Sequence, residues 1–394
     1  MTIYLNDMGL VCALGRGRGP VKDGLFSSDA AQGVRPTDAC SPGQRLHLGV
    51  VDAALPDIVA WPLEHRSRNN AMIAAVLDDL SNSIAAAVSR FGPHRVAVVL
   101  GGSTSGVREG ELALHRRRRE GGSWPAEYCY AQQELGSAAA FVAHRLGTSG
   151  PAHVISTACS SGAKALASGA RLLKAGLADA VIAGGADTLC RFTVAGFSAL
   201  ESVSAARCNP LSANREGINL GEGAALFLMT REPGPARLAG WGECSDAYHM
   251  SAPEPDGRGA EQAMLEALAR GRVEATGVDY VNLHGTATLQ NDAMESRAVY
   301  RVLGDDVPVS STKPLTGHAL GAAGALEAAF AWLTLVDNPR GALPSHWWDG
   351  AVDPGLPALR VAEPGSSLGR PARHVLSNSF AFGGSNAALL LGQG

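Results

Sequence analysis

Lysine is nearly missing from this chain. Of its 33 basic residues only four, at positions 22, 164, 174 and 313, are Lys, and the other 29 are Arg. Charge of either sign is sparse, at 18% of residues with a formal net charge of −4. There is therefore no basic surplus of the kind that drives nucleic-acid binding. Seven cysteines are present without a single CxxC pair, which argues against a disulfide framework or a zinc knuckle and for reduced thiols in the cytoplasm. The first residues, Met1 to Asp7, carry no basic segment and no long apolar run, so they do not read as a signal peptide. The one stretch that approaches membrane-spanning length, 319 to 336, has Glu327 at its middle and many small residues, and it reads as a buried helix rather than a membrane span. What the chain does have is apolar material, 46% of 394 residues, enough for a large core.

Short aliphatic runs alternate with longer Ala/Leu-rich segments of helical period, the pattern of an α/β protein with a largely buried sheet. Strands are expected at 95–100, 153–156, 180–183, 224–229, 237–242, 280–283, 307–310, 374–377 and 387–391. Helices are expected at about 69–90, 132–145, 162–175, 260–272, 292–303 and 320–335. The segments 17–60 and 103–131 read as loops or caps. Arg231-Glu232-Pro233-Gly234-Pro235 is the best junction and divides the chain into 1–232 and 233–394. Each half ends in an Ala/Leu-rich strand after a Gly-rich turn, an echo that suggests internal duplication.

Cys159 follows an apolar strand and precedes Ser160-Ser161-Gly162 and a helical pattern, which places its thiol at a strand-to-helix turn. There the free backbone N–H groups and the helix dipole favour an anion, so a lowered thiol pKa is expected. The same N–H groups could bind the oxyanion of an acyl-transfer intermediate. Taken alone, such a Cys is more often a small buried residue. However, His284 and His318 each lie in a turn after a strand, and strand ends of an α/β fold share one rim. Lys313 lies five residues before His318, and Glu327 on the following helix is an available partner for its charge.

Together, Thr157-Ala158-Cys159-Ser160-Ser161-Gly162, His284-Gly285-Thr286-Ala287-Thr288, Lys313 through Gly324, and Asn378-Ser379-Phe380-Ala381-Phe382-Gly383-Gly384-Ser385-Asn386 resemble the β-ketoacyl-acyl carrier protein synthases. The resemblance covers nearly the whole chain. It implies a thiolase-like duplicated α/β/α/β/α five-layered sandwich and a decarboxylative condensation of an acyl-Cys enzyme with malonyl-carrier protein. It further implies Cys159 as nucleophile, with the N–H groups of Cys159 and Phe382 as oxyanion hole. His284 and His318 would be the enolate donors, with Lys313 and Glu327 fixing their electrostatics. Thr286 and Thr288 resemble the hydroxyls that bind phosphopantetheine, and Phe382 resembles the family's gating aromatic, with Phe380 beside it. Ser105 and Phe197 match positions along the acyl tunnel, while Arg66 and Arg68 sit where carrier-protein docking residues often lie. No metal and no resident cofactor is implied, since phosphopantetheine arrives on the acyl carrier protein. The expected assembly is a homodimer, or a heterodimer with a related ketosynthase-like subunit.

The Cys, His, His and Lys set resembles elongating rather than initiating synthases, and the last cysteine, Cys244, comes too early for the second thiol of a thiolase. Two departures stand out: Leu289-Gln290-Asn291 replaces a usual Pro and Gly, and Ser212, Glu216, Ile218 and Asn219 replace the residues common around Arg215. They point away from housekeeping fatty-acid synthesis and toward a polyene or polyketide pathway. Two other readings compete with an elongating enzyme, a chain-length-factor-type partner subunit and a thiolase-fold acyltransferase using coenzyme A esters. The basic cluster His115 to Arg119 invites an acidic partner but is more often a solvated helix face.

Overall fold

Residues 1–394 are described by a computed structural model, in which the apolar runs become two matching sets of five strands. The first set is β1 (Tyr4–Cys12), β2 (Val96–Gly101), β3 (Ala152–Ile155), β4 (Ala180–Asp187) and β5 (Gly223–Thr230). The second is β6 (Ala236–Ser245), β7 (Tyr280–Asn282), β8 (Val309–Ser310), β9 (His374–Ala381) and β10 (Ser385–Gln393). Their spatial orders are β1-β5-β4-β2-β3 and β6-β10-β9-β7-β8, one arrangement used twice. In each set the first three strands run antiparallel and the last three parallel. The sets join where Tyr4 pairs with Arg237 and Leu5 with Ala236.

Side chains alternate across a strand, and here the alternation sorts them into layers. Ala97 and Val99 of β2 share a core with α3 (Ser161–Lys174) and α6 (Ala323–Leu335). Val96, Val98 and Leu100 face the other way, onto α1 (Arg68–Asp79) and α2 (Ser137–Leu146). In the second half Val375 and Leu389 face the central helices, while Leu376 and Ala388 pack under α4 (Arg258–Gly271) and α5 (Leu289–Leu303). The result is helix, sheet, helix pair, sheet, helix. All thirteen residues of α6 are buried, which accounts for a helix that is apolar nearly all round, and no single helix is long and apolar enough to cross a membrane.

Several elements differ from expectation. The first strand, β1, lies in a segment for which no strand was anticipated. The helix expected over 69–90 is two helices, Arg68–Asp79 and Ser81–Phe91, bent by 77°. The 103–131 segment contains the fourteen-residue helix Val107–Glu120, and 17–60 contains the helix Arg18–Leu25 and a small hairpin of Arg35–Thr37 with Leu46–Leu48.

The central helices meet at their N-terminal ends through glycine. A Cβ on Gly162 would stand 2.6 Å from the Ala325 nitrogen, and one on Gly324 2.9 Å from the Ala163 nitrogen. Both distances are to backbone, so neither clash can be relieved by a side-chain rotation. Gly162→Ala is expected to lower stability by about 1–3 kcal/mol through overpacking, read as a lower denaturant midpoint. An unchanged midpoint would mean that the helices can part without cost.

Candidate active site

Cys159 stands on a turn built by its neighbours. The Thr157 N–H donates to Ser161 Oγ at 2.8 Å, Ala158 adopts a left-handed φ of 51°, and Ser160 begins α3 as its N-cap. The thiol is buried, with 6% of the residue exposed. His318 occupies the corresponding place in the second half, between β8 and α6. Its backbone is held on both sides, because its N–H donates to the Asn219 carbonyl and its own carbonyl accepts from Gly221. Its Nε2 lies 3.1 Å from Cys159 Sγ. The His284 ring meets it edge-on, with centroids 5.2 Å apart.

The hydrogen-bond network assigns both tautomers. His318 Nδ1 accepts from the Leu320 N–H at 3.2 Å, and His284 Nδ1 faces the Lys313 ammonium, a donor only, at 3.5 Å. Each neutral ring therefore carries its proton on Nε2. Lys313 Nζ also donates to the His284 carbonyl and to Glu327 Oε1 at 2.5 Å. The Cys159, His284 and His318 ligating atoms lie within 4.8 Å of one another, as those of a metal site would. These tautomers, however, aim hydrogens rather than lone pairs into the space between, so the set fits an anion better than a cation.

Burial sets the protonation states. It holds His284 and His318 well below the usual imidazole range, and the Lys313 charge lowers both further. The same burial pushes the Glu327 carboxyl up to about 7, against the pull of Lys313. It pushes the Cys159 thiol up to about 12, over the opposing pulls of Lys313 and the Phe382 N–H. The lowered thiol pKa expected from the helix N-terminus is thus corrected: desolvation in the closed pocket outweighs it.

The Phe382 N–H lies near enough to the thiol to pull its pKa down, and the Cys159 N–H makes no hydrogen bond within the chain, which leaves two backbone donors beside the sulfur. A cavity of about 170 Å³ opens here, lined among others by Phe197, Ile218, Thr286, Thr288, Phe380 and Phe382. The Thr286 and Thr288 hydroxyls are 3.0 Å apart, and the Phe197 and Phe382 rings stack with centroids 5.7 Å apart.

Other expected residues lie elsewhere. Ser105 does not line this cavity; its hydroxyl donates to the carbonyls of Gln132 and Glu134, at 3.3 and 3.0 Å, so it is spent on the backbone. Arg68 is committed to buried Glu222 and to the Val51 carbonyl, which removes it as a docking residue. Arg66 is half-buried and donates to the Trp61 carbonyl at 2.7 Å. In the basic cluster, Arg116 pairs with Glu120 and Glu127, Arg119 with Glu120, and Arg117 covers Trp124. His346 is a brace, its Nδ1 accepting from the Ser311 N–H and its Nε2 facing the Pro210 carbonyl.

Two supporting carboxylates escaped the sequence reading of the site. Asp187 accepts from Ser103, Thr104 and Gly321, which ties the turn after β2 to the start of α6. Glu295 accepts the His284 and Gly285 N–H groups at 2.8 and 2.7 Å and so fixes the His284 turn. A carboxylate spaced after an apolar strand end is the only signal either offers.

A duplicated five-layered sandwich with Cys and His at the ends of its central helices is a thiolase-like architecture. Within that class the chain belongs to the beta-ketoacyl synthase family: residues 22–233 match the family's N-terminal domain and residues 235–340 its C-terminal domain. The 3-oxoacyl-[acyl-carrier-protein] synthase 2 of Rhizobium meliloti is 40% identical over 261 residues, 61% of each chain. That of Staphylococcus aureus is 32% identical over 313 residues, 75% of this chain and 74% of that one. Among solved structures, a chain of the complex of the ketosynthase ApeO with its chain length factor ApeC from Xenorhabdus doucetiae superposes with a TM-score of 0.93. It is 43% identical and the match covers 100% of this chain and 98% of that one. The ishigamide ketosynthase/chain length factor gives 0.85 at 25% identity, covering 100% and 99%.

The histidine assignment is open to a direct test. In ¹⁵N-histidine spectra His284 and His318 should stay neutral with the proton on Nε2 from about pH 8 down to about 5.5, across the range where a free imidazole titrates. Protonation of either ring with a midpoint near 6.5 would overturn it.

Proposed function

We propose that this protein is an elongating β-ketoacyl synthase that condenses an acyl group held on Cys159 with malonyl-acyl carrier protein. The observation that carries this reading is the convergence of two Nε2–H donors and two free backbone N–H groups around one buried thiol. In the first half-reaction Cys159 sulfur attacks the acyl thioester of the carrier. Its oxyanion is held by the Cys159 and Phe382 N–H groups, and the phosphopantetheine thiol leaves with a proton. In the second, the bond between the malonyl carboxylate and its α-carbon breaks and carbon dioxide departs. The electron pair becomes a thioester enolate whose oxygen accepts from His284 and His318. The α-carbon then attacks the acyl-Cys carbonyl and expels Cys159, and the β-ketoacyl product stays on the carrier.

In this scheme Lys313 keeps the imidazoles neutral and oriented, Glu327 balances its charge, and Thr286 and Thr288 receive the phosphopantetheine arm, with Phe197 and Phe380 walling the channel. No resident cofactor is called for. The halves 1–232 and 233–394 act as one unit, because Cys159 comes from the first and His284, Lys313 and His318 from the second. A heterodimer with a chain-length-factor-like subunit is supported by the likeness to the ApeO–ApeC complex, and Arg66 is the docking candidate left for the carrier. Seven free cysteines suit the cytoplasm. An intact thiol and both histidines weigh against this chain being the non-elongating partner itself.

Two variants probe the assignment. Cys159→Ala should abolish acyl loading and condensation while the folded protein and its partner binding persist. Retained loading would remove the nucleophile from the scheme. His284→Ala and His318→Ala should each slow malonyl decarboxylation on the order of 100-fold to 1000-fold and acyl loading far less. Equal loss in both half-reactions, measured with radiolabelled acyl- and malonyl-carrier proteins, would refute the split of roles.

A further inference from the structure

Lys164, one of the four lysines, is not explained by the scheme above. It lies on α3, five residues after the nucleophile, and is half-buried. Its ammonium makes one hydrogen bond, to Ser385 Oγ at 2.7 Å. Ser385 is the first residue after the Phe382-Gly383-Gly384 turn. The Ser385 hydroxyl lies 3.0 Å from Ser160 Oγ, which lies 2.8 Å from the Thr157 carbonyl. An ammonium can only donate. Ser385 Oγ therefore accepts from two sides, from Lys164 and from the Ser160 hydroxyl, which shares its proton with the Thr157 carbonyl. These bonds link the turn that carries Cys159 to the turn that covers it.

That covering turn has freedom to move. Gly383 and Gly384 have φ of 78° and 68°, a region open to glycine at little cost. Gly383 faces solvent, and on the outer side the turn is held by uncharged bonds, from the Gly383 N–H to the Met250 carbonyl, from the Asp246 N–H to the Gly384 carbonyl, and from the Asn386 side-chain amide to the Gly384 carbonyl at 3.4 Å. Lys164 supplies the one charged contact, from the inner side, and a charge-assisted hydrogen bond is the strong member of such a set. Burial lowers the Lys164 pKa, and the neighbouring Glu243 opposes that shift.

We propose that Lys164 is a positioning residue that latches the Phe382 turn closed over Cys159 through Ser385, so that breaking the Lys164–Ser385 bond favours the open pocket. The inference rests on the reading of Cys159 as the acylated residue, but its test needs no carrier protein and no turnover. The latch predicts how fast reagents reach the thiol. Full-length protein is treated with iodoacetamide and, separately, with a bulky biotin-maleimide. Labelling at Cys159 is followed by mass spectrometry, with Cys159→Ala identifying the site.

Lys164→Met should speed Cys159 labelling on the order of tenfold, the scale of one charge-assisted hydrogen bond, and speed the bulky reagent more than the small one. Ser385→Ala, which breaks the bond from the other end, should do the same. The double variant should add little to either single one, and Lys164→Arg should stay near wild type. Unchanged labelling in folded Lys164→Met and Ser385→Ala proteins would overturn the latch. So would an equal acceleration of both reagents, which reports a change in thiol acidity rather than in access. Wild-type protein that showed these labelling rates yet formed no β-ketoacyl product would instead count against the proposed function.

Discussion

Two helix backbones touch where side chains would normally keep them apart. Gly162 and Gly324 let the N-terminal ends of α3 and α6 approach until a single added methyl on either would strike the other's backbone. The site depends on this contact, because Cys159 lies just before one helix and His318 just before the other. With a larger spacing Nε2 and Sγ would leave hydrogen-bond range, whatever the side chains did. The repeated strand order makes the arrangement economical. β3 and β8 hold the same place in their halves, and so do β2 and β7, after which come the Ser103–Thr104 turn and the His284 turn. One half contributes the thiol, and the other contributes both imidazoles from the equivalent and neighbouring turns.

Burial would by itself leave His284 and His318 neutral but free to choose a tautomer. Lys313 removes the choice at His284, since an ammonium facing Nδ1 forces the proton to Nε2, and the Leu320 N–H does the same for His318. Holding a charge at such depth is costly without a partner. Glu327 supplies one from within α6, the most apolar helix of the chain, while the His284 carbonyl takes a further proton of the ammonium. One ion pair thus fixes a ring orientation, a tautomer and a local charge at once. A neutral lysine substitute would keep none of the three.

The sequence made the chemistry of the site more legible than its support. Cys159, His284, Lys313 and His318 stand in turns after apolar strands, a pattern visible in one dimension, and the structure brings all four together. Asp187 ends β4 and Glu295 lies within α5, but their work is to accept backbone N–H groups from segments more than eighty and about ten residues away, which no local pattern encodes. Arg68 failed as a docking residue for the same reason, since its partner Glu222 is remote in sequence. The break at Leu80 was hidden because apolar periodicity continues across it. Layer membership is readable from strand alternation once the strands are known; β1 is harder to read, because Asn6, Asp7 and Gly9 interrupt its aliphatic run.

Desolvation also explains why these groups suit one another. Burial opposes whatever charge a group would carry, so it raises the thiol and Glu327 and lowers both imidazoles. The resting pocket is therefore poor in charge apart from the Lys313–Glu327 pair, with Phe197, Phe380 and Phe382 on its walls. A malonyl carboxylate entering under the proposed reaction would give up water and meet no fixed counter-charge in the open cavity. When its C–C bond breaks, the negative charge moves to the thioester oxygen, where preorganised Nε2–H donors wait. The site is thus polar where charge develops and apolar where it is lost, so the donors act more strongly on the transition state than on the bound substrate. Cationic imidazoles would attract the carboxylate itself and lessen that difference, which gives a physical reason for keeping two histidines neutral beside a lysine.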